Sequence, residues 1–409
     1  MMTPPKGPLA GLRVVELSSY VATPLCGLTL RQLGADVIRV EPLTGAPDRT
    51  RMPRAEDGTS LYFSGLNQGK RAFAVDMSRQ EGRDLVADLI CGTGAPEDDP
   101  GGAIAVANSE RYADLCYPAL SERRPDLVYA LLTGRRDGSS AVDYTVQATT
   151  GFAMLTGPAD RTTPTNTVVP AWDIAAGLYL ATGLLAGVQG RRETGRGSHV
   201  RLALEDVAYS AAGMLGYLAE AQLTGIDRGA AGNEVYGTYG RDFVTADGVR
   251  FMLIALTNSH WRRLVDATGL GDAMAGIEKA LEADLSDEAE RYRCRQVISA
   301  LLGDWFSRHP WSEVQPMLAS TRALHSAYQG FGEIAADGAA QLRDNPLFSE
   351  LTQPGVGTYY APGAPLRLDD EQVPPAPTAP IGAHNDEVLT GLGVDADRLR
   401  GLREEGILG

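Results

Sequence analysis

Residues 12–17 (LRVVEL) form a short apolar run without helical period, which predicts a buried strand. Residues 23–33 carry a helix pattern that stops at Gly34, and glycine is favoured just past a helix end because it accepts positive φ. Residues 36–40 (DVIRV) predict a second strand. Strand, helix, glycine and strand at this spacing make a βαβ unit, so a parallel sheet is expected. Residues 72–76, 103–107 and 127–132 extend the series as strands, with helices over 80–90 and 112–124 between them. The most apolar helix pattern covers 173–189. It is followed by a turn at 191–198, a strand at 199–204 and a long helix over 205–223.

The pattern then changes. Residues 225–240 are rich in glycine, and 243–256 alternate like a hairpin around Asp247-Gly248. Residues 261–305 read as helical and charged, and 354–380 hold much of the proline, as a structured arm or linker would. Residues 92–102 read as a polar surface loop. The expected organisation is α/β: a Rossmann-like large domain over 1–222, to which 330–409 returns, and a smaller α+β domain over 223–329. No G-x-G-x-x-G follows the first strand, which argues against a nicotinamide or flavin enzyme of the usual type.

Charge narrows the function classes. Lys and Arg number 37 against 52 Asp and Glu, a net charge of −15, which opposes binding to nucleic acid or anionic lipid. Cys26, Cys91, Cys116 and Cys294 are scattered, as expected of reduced thiols in a cytoplasmic protein. The five histidines show no metal-ligand spacing, so no metal is expected. Residues 174–190 are uncharged but interrupted by glycine, which favours a buried core helix over a membrane span.

Several side chains carry candidate chemistry. Asp173 stands at the head of the apolar helix, where an N-cap is the plain role. A helix N-terminus would also hold a carboxylate ionised and oriented for nucleophilic attack. Asp143 and Gln147 are four residues apart and share a face if their segment is helical, with a solvated face as the plain role. Residues 236–240 make either a mobile lid or tight turns before the hairpin. Lys70, Arg71, Arg135 and Arg136 lie beside strand ends, where they are either solvated or bind phosphate.

Together these segments resemble the class III coenzyme A-transferase family. Residues 11–17 and 33–42 resemble its opening βαβ unit, and Asn67-Gln68-Gly69-Lys70-Arg71 with Asp76 its N-x-x-K-R…D segment. Asp173, Gly177-Leu178-Tyr179 and Thr194-Gly195-Arg196-Gly197 match its nucleophile helix and exit turn, and residues 381–389 its C-terminal signature. The segment that carries coenzyme A in the family departs here, reading Asn108-Ser109-Glu110-Arg111. Gly134-Arg135-Arg136-Asp137-Gly138, Ala171-Trp172-Asp173 and residues 236–243 are similar to the subgroup that moves coenzyme A between C1 and C4 of mesaconyl-CoA.

The resemblance implies an interlocked, ring-like homodimer acting on acyl-CoA and carboxylic acids, with coenzyme A entering as the substrate thioester. Asp173 is implied as the nucleophile, with Asp143 and Gln147 beside it and backbone N–H donors nearby for the oxyanions. Coenzyme A contacts are implied at Tyr20, Val21, Lys70, Arg71, Ala72, Asn108, Arg111, Arg135 and Arg136. Arg135, Arg136 and Arg241 are the expected cations for a second substrate carboxylate. Racemases of the same fold carry a His acid/base where this chain has Val142, which disfavours α-proton chemistry. An intermolecular transferase and a non-catalytic coenzyme A-binding protein are the remaining alternatives.

Overall fold

The computed structural model describes residues 7–92, 102–159 and 163–409, so most of the loop expected at 92–102 lies outside the described residues. The chain divides into two units, one of residues 1–150, 167–225 and 337–409, the other of 151–166 and 226–336.

The first unit is built on strands β1 (Arg13–Leu17), β2 (Asp36–Glu41), β3 (Arg71–Ala74), β4 (Ile104–Ala107), β5 (Val128–Thr133) and β6 (Ser198–Ala203). They pair in the order β3-β2-β1-β4-β5-β6, every pair parallel. Helices cover both faces, which is why β1 and β4 read as apolar runs without alternation. The chain direction of winding reverses between β1 and β4, so a crevice forms beyond the C-terminal ends of these strands.

Helices α1 (Ala22–Gln32), α2 (Leu61–Leu66), α3 (Gln80–Cys91), α4 (Tyr117–Arg123) and α5 (Asp143–Thr149) alternate with the strands. Helix α6 (Phe152–Leu155) belongs to the second unit, and α7 (Ala171–Thr194) returns to the first. One face buries Leu30 of α1 with Leu180 and Leu184 of α7 against Val14, Ile104 and Val128. The other buries Leu89 and Ile90 of α3 with Leu389 and Leu402 from the C-terminal return against Val15, Ile38 and Phe73. The return also closes the sheet edge. Ala72 N–H donates to His384 Nδ1 and Ala74 N–H to Asn385 Oδ1, so the C-terminal signature occupies the open ladder of β3.

Helix α7 is long and apolar enough to cross a membrane by length and composition, but here it is a packed helix on the sheet. A Cβ on Gly177 would lie 2.6 Å from Ala22 O, so the glycine sets how closely α1 and α7 approach. The helix runs into the expected turn at 191–198 and ends at Gly195, which has φ of 71°. Arg191 extends it by burying its guanidinium and donating to Gly102 O at 2.8 Å. The single helix expected over 205–223 is instead α8 (Leu204–Met214) and α9 (Tyr217–Thr224), broken at Gly216 with φ of 79°. The proline-rich arm is structured, with Thr378 N–H on Gln353 Oε1 and Gly69 N–H on Pro377 O.

In the second unit β7 (Tyr239–Val244), β8 (Arg250–Ala255) and β9 (Leu324–Ala327) form an antiparallel sheet in that order. Gly248, at φ of 83°, closes the expected hairpin turn. Residues 236–240 form a tight turn, Val235 N–H donating to Gly240 O at 2.9 Å, and not a detached flap. Phe243, Phe251 and Phe306 meet in tilted and edge-to-face contacts at the centre of this unit's core, under helices between Asn258 and Thr321.

Candidate active site

Asp173 is the third residue of α7, not its cap. Pro170 occupies the cap position and supplies no side-chain hydrogen bond. The capping is done from another helix: Asp143 Oδ2 accepts the N–H of Trp172 at 2.8 Å and of Asp173 at 3.1 Å. The first-turn donors of α7 are therefore committed inside the protein, Ala171 N–H going to Val169 O. The expected oxyanion donors near Asp173 are therefore not the N–H groups of Ala171, Trp172 and Asp173. The Asp173 carboxylate itself meets no hydrogen-bond donor among the described residues and is half-buried.

Burial pushes the Asp173 carboxyl up to about 7, and the charge of Asp143 pushes in the same direction. Arg51 opposes both. The helix N-terminus was expected to keep this carboxylate ionised; desolvation and a like charge outweigh it. A carboxyl poised there is a stronger nucleophile when ionised than an ordinary aspartate, but only part of the population is ionised at neutral pH.

Asp143 and Gln147 do share a face of α5, but the face is buried, each side chain only 2% exposed, where a solvated face was the plain reading. Gln147 Nε2 donates to Asp143 Oδ1, and Gln147 Oε1 accepts Thr167 N–H at 2.7 Å. Both oxygens of Asp143 are thus engaged, and its acts are to cap α7 and to charge the neighbourhood of Asp173. Val142 occupies the cap position of α5 with an exposed side chain and brings no titratable group.

A loop after β2 supplies what the sequence reading missed. Arg51 lies over the rings of Tyr20 at 5.4 Å and Tyr62 at 5.1 Å. The Tyr62 phenol is pushed up to about 12 by burial, with Arg51 opposing and Asp173 adding to the rise, so all three groups share one field. A buried charge network holds this loop. Arg39 donates to both oxygens of Asp48 at 2.9 Å and to Asn67 Oδ1 at 2.7 Å. Asp48 in turn accepts Tyr20 N–H at 3.1 Å, holding Tyr20 at a φ of 70°. Nothing local marks Arg51; its significance comes from the two rings it lies over and from the effect of its charge on Asp173.

The other residues named from sequence are spread over the unit. Val21 caps α1 and is buried, and Asn108 ties the ends of β1 and β4 by donating from Nδ2 to Ser19 O. Lys70 is 3% exposed and pairs with Glu16 at 2.9 Å, burial lowering its ammonium to about 8. A Cβ on Gly27 would fall 1.7 Å from Glu16 Oε2, so this glycine makes room for the pair. Arg71 forks onto Asp36 at the N-terminal edge of the sheet, away from Asp173, and Ala72 lies within β3. Arg135 faces Glu205 at 3.5 Å and Arg136 faces Asp206 at 2.9 Å, both beyond the end of β5. Arg111, beyond β4, lies over the Tyr112 ring and has no ion pair among the described residues.

Residues 9–385 match the model of CoA-transferase family III. The chain is 42% identical over 408 residues to 2-methylfumaryl-CoA isomerase of Chloroflexus aurantiacus, covering 98% of each. It is 27% identical to succinyl-CoA:mesaconate CoA-transferase of Haloarcula marismortui, covering 95% of this chain and 97% of the relative. A CaiB/BaiF family protein from Brucella suis superposes with a TM-score of 0.74 at 25% identity, over 94% of this chain and 99% of that one. The fold, the paired carboxylates at the head of α7 and the match along nearly the whole length lead to one assignment: the chain is an enzyme of CoA-transferase family III.

Proposed function

We propose that the protein moves coenzyme A between the C1 and C4 carboxyls of mesaconyl-CoA through a covalent intermediate on Asp173. The observation that carries the mechanism is the Asp173 carboxylate, free of internal hydrogen bonds at the head of a helix that another carboxylate caps. An Asp173 oxygen attacks the thioester carbonyl, the C–S bond breaks, and coenzyme A leaves as its thiolate. The thiolate attacks the aspartyl carbonyl of the mixed anhydride, and the substrate acid departs as a carboxylate. Asp173 now holds coenzyme A as a thioester. The other carboxylate of the acid attacks it, and the same steps run in reverse. Asp143 positions α7 throughout and keeps Asp173 basic. The identity of 42% to 2-methylfumaryl-CoA isomerase supports the substrate, and Val142 in place of an acid/base speaks against racemisation.

Cations beyond the strand ends suit the phosphates of coenzyme A: Arg111 has no ion pair among the described residues, and Arg136, though paired with Asp206, is exposed. Lys70 and Arg71 are engaged with Glu16 and Asp36 and act through the structure of the sheet. Val168 at 85%, Met214 at 69% and Leu223 at 86% exposure support a second copy covering these apolar side chains, as in an interlocked homodimer. Unpaired thiols support a cytoplasmic setting.

The deciding experiment incubates C1-linked mesaconyl-CoA with isotopically labelled free mesaconate. Conversion to the C4 thioester without label uptake is expected. Rapid uptake would assign intermolecular transfer, the reaction named for the Haloarcula marismortui relative.

A further inference from the structure

Between the two half-reactions an intramolecular transferase faces a retention problem: the acid has left the thioester and is a dianion with every reason to enter water. The fumarate skeleton places its two carboxylates on opposite sides, so the one not reacting faces away from Asp173. A cation on that side would hold the acid. Arg135 and Arg136 each face an acidic side chain, Glu205 and Asp206, and Arg241 faces Glu234 at 3.8 Å. Arg39 and Arg49 are tied to Asp48 and Glu41.

Arg51 differs from all of these. No carboxylate lies within ion-pair distance of it among the described residues, and its guanidinium rests on the rings of Tyr20 and Tyr62. Contact with ring faces leaves the N–H fork free for a planar anion. Its backbone is pinned, Ser60 Oγ donating to Arg51 O at 2.7 Å. The Tyr20 side of the bracket is held by Asp48 and, through it, Arg39. The charge of Arg51 acts on Asp173 and both act on Tyr62, whose ring Arg51 lies over, yet no ion pair joins Arg51 to Asp173.

We propose that Arg51 binds the non-reacting carboxylate of the dicarboxylic acid and retains the acid while coenzyme A rests on Asp173. This deepens the function proposed above and rests on it. The residue determines specificity: it selects dicarboxylic over monocarboxylic acids and intramolecular over intermolecular return. An exposed arginine on a loop can be replaced without disturbing the core.

The test compares wild type, Arg51→Gln and Arg51→Lys with C1-linked mesaconyl-CoA and labelled mesaconate, measuring C4 product and its label. Arg51→Gln is expected to slow conversion about a hundredfold, as loss of a bidentate charged contact implies. The labelled fraction of the remaining product should rise to about tenfold above the wild-type background as the acid escapes before return, with Arg51→Lys between the two. Hydroxylamine should still convert the Asp173 thioester to a hydroxamate with release of coenzyme A in Arg51→Gln, since forming the thioester does not require retention. If wild type converts without label uptake and Arg51→Gln shows an unchanged labelled fraction, the Arg51 assignment alone is overturned. A wild type that fails to convert mesaconyl-CoA, or takes up label rapidly, overturns the functional reading and this inference together.

Discussion

The two edges of the parallel sheet use the same residue types to opposite ends. At the N-terminal edge Arg71 forks onto Asp36, Arg124 pairs with Asp126 at 2.6 Å, and Arg191 donates to Gly102 O. Each cation has found a partner, and the result is a closed scaffold. At the C-terminal edge Asp143 is saturated by α7 and Gln147, whereas neighbouring Asp173 is left without a hydrogen bond and Arg51 without an ion pair among the described residues. Leaving a half-buried carboxylate unsatisfied opposes folding, and the buried network around Arg39 and Asp48 holds the loop that faces it. Chemistry sits where polar groups are positioned but not neutralised.

That contrast can be broken most severely at Asp173. Asp173→Ala is expected to lower turnover at least about a thousandfold, about 4 kcal/mol in the barrier, with the circular dichroism spectrum unchanged. Substantial residual turnover in a clean preparation would remove Asp173 from the mechanism. Asp143→Ala leaves the N–H groups of Trp172 and Asp173 without their acceptor and should slow turnover by at least ~1.4 kcal/mol, a factor of ten. It should also shift the acid limb of the pH–rate profile to lower pH, because the charge that raises Asp173 is gone. A rate loss with an unmoved limb would make Asp143 only a cap.

At the closed edge, Arg191→Met should lower stability by about 2 kcal/mol, measured by urea unfolding, through the loss of charged donors to buried carbonyls. Turnover per folded molecule should match wild type. A proportionate loss of turnover would show that the two edges are coupled.

The smallest expected effect is on stability at Asp173. Its folded pKa of about 7 lies above the ordinary 3.8, so the folded state binds the proton more tightly. The associated stabilisation is fully present below pH 3.8 and is lost as pH rises through 7. Asp173→Asn should therefore gain thermal stability relative to wild type as pH rises from 5 to 8. A difference in melting temperature that stays constant across this range would contradict the raised pKa.

Much of the frame was legible along the chain. The apolar runs of β1, β2, β4 and β5 lack alternation because both sheet faces are covered, and a single sequence shows that directly. The apolar helix carrying Asp173 was visible for the same reason, although its end was not, because Arg191 prolongs it through carbonyls about 90 residues earlier, at Gly102 and Ala103. The break at Gly216 was hidden because one glycine in a helical pattern does not announce positive φ. The spacing of Asp143 and Gln147 indicated one face, but not that the face would be buried under α7.

The sequence by itself determined the backbone order, the parallel sheet and the place of Asp173 at the head of an apolar helix, since these follow from periodicities within short windows. Only the tertiary structure decided which charges are free. Asp143 reaches the amide of Asp173 across 30 positions, and Lys70 meets Glu16 across 54. Arg51 lies over Tyr62, and its charge opposes the rise at Asp173. Whether a charged group is paired, buried or poised depends on partners remote in the chain and on the water they exclude, and no local pattern records either.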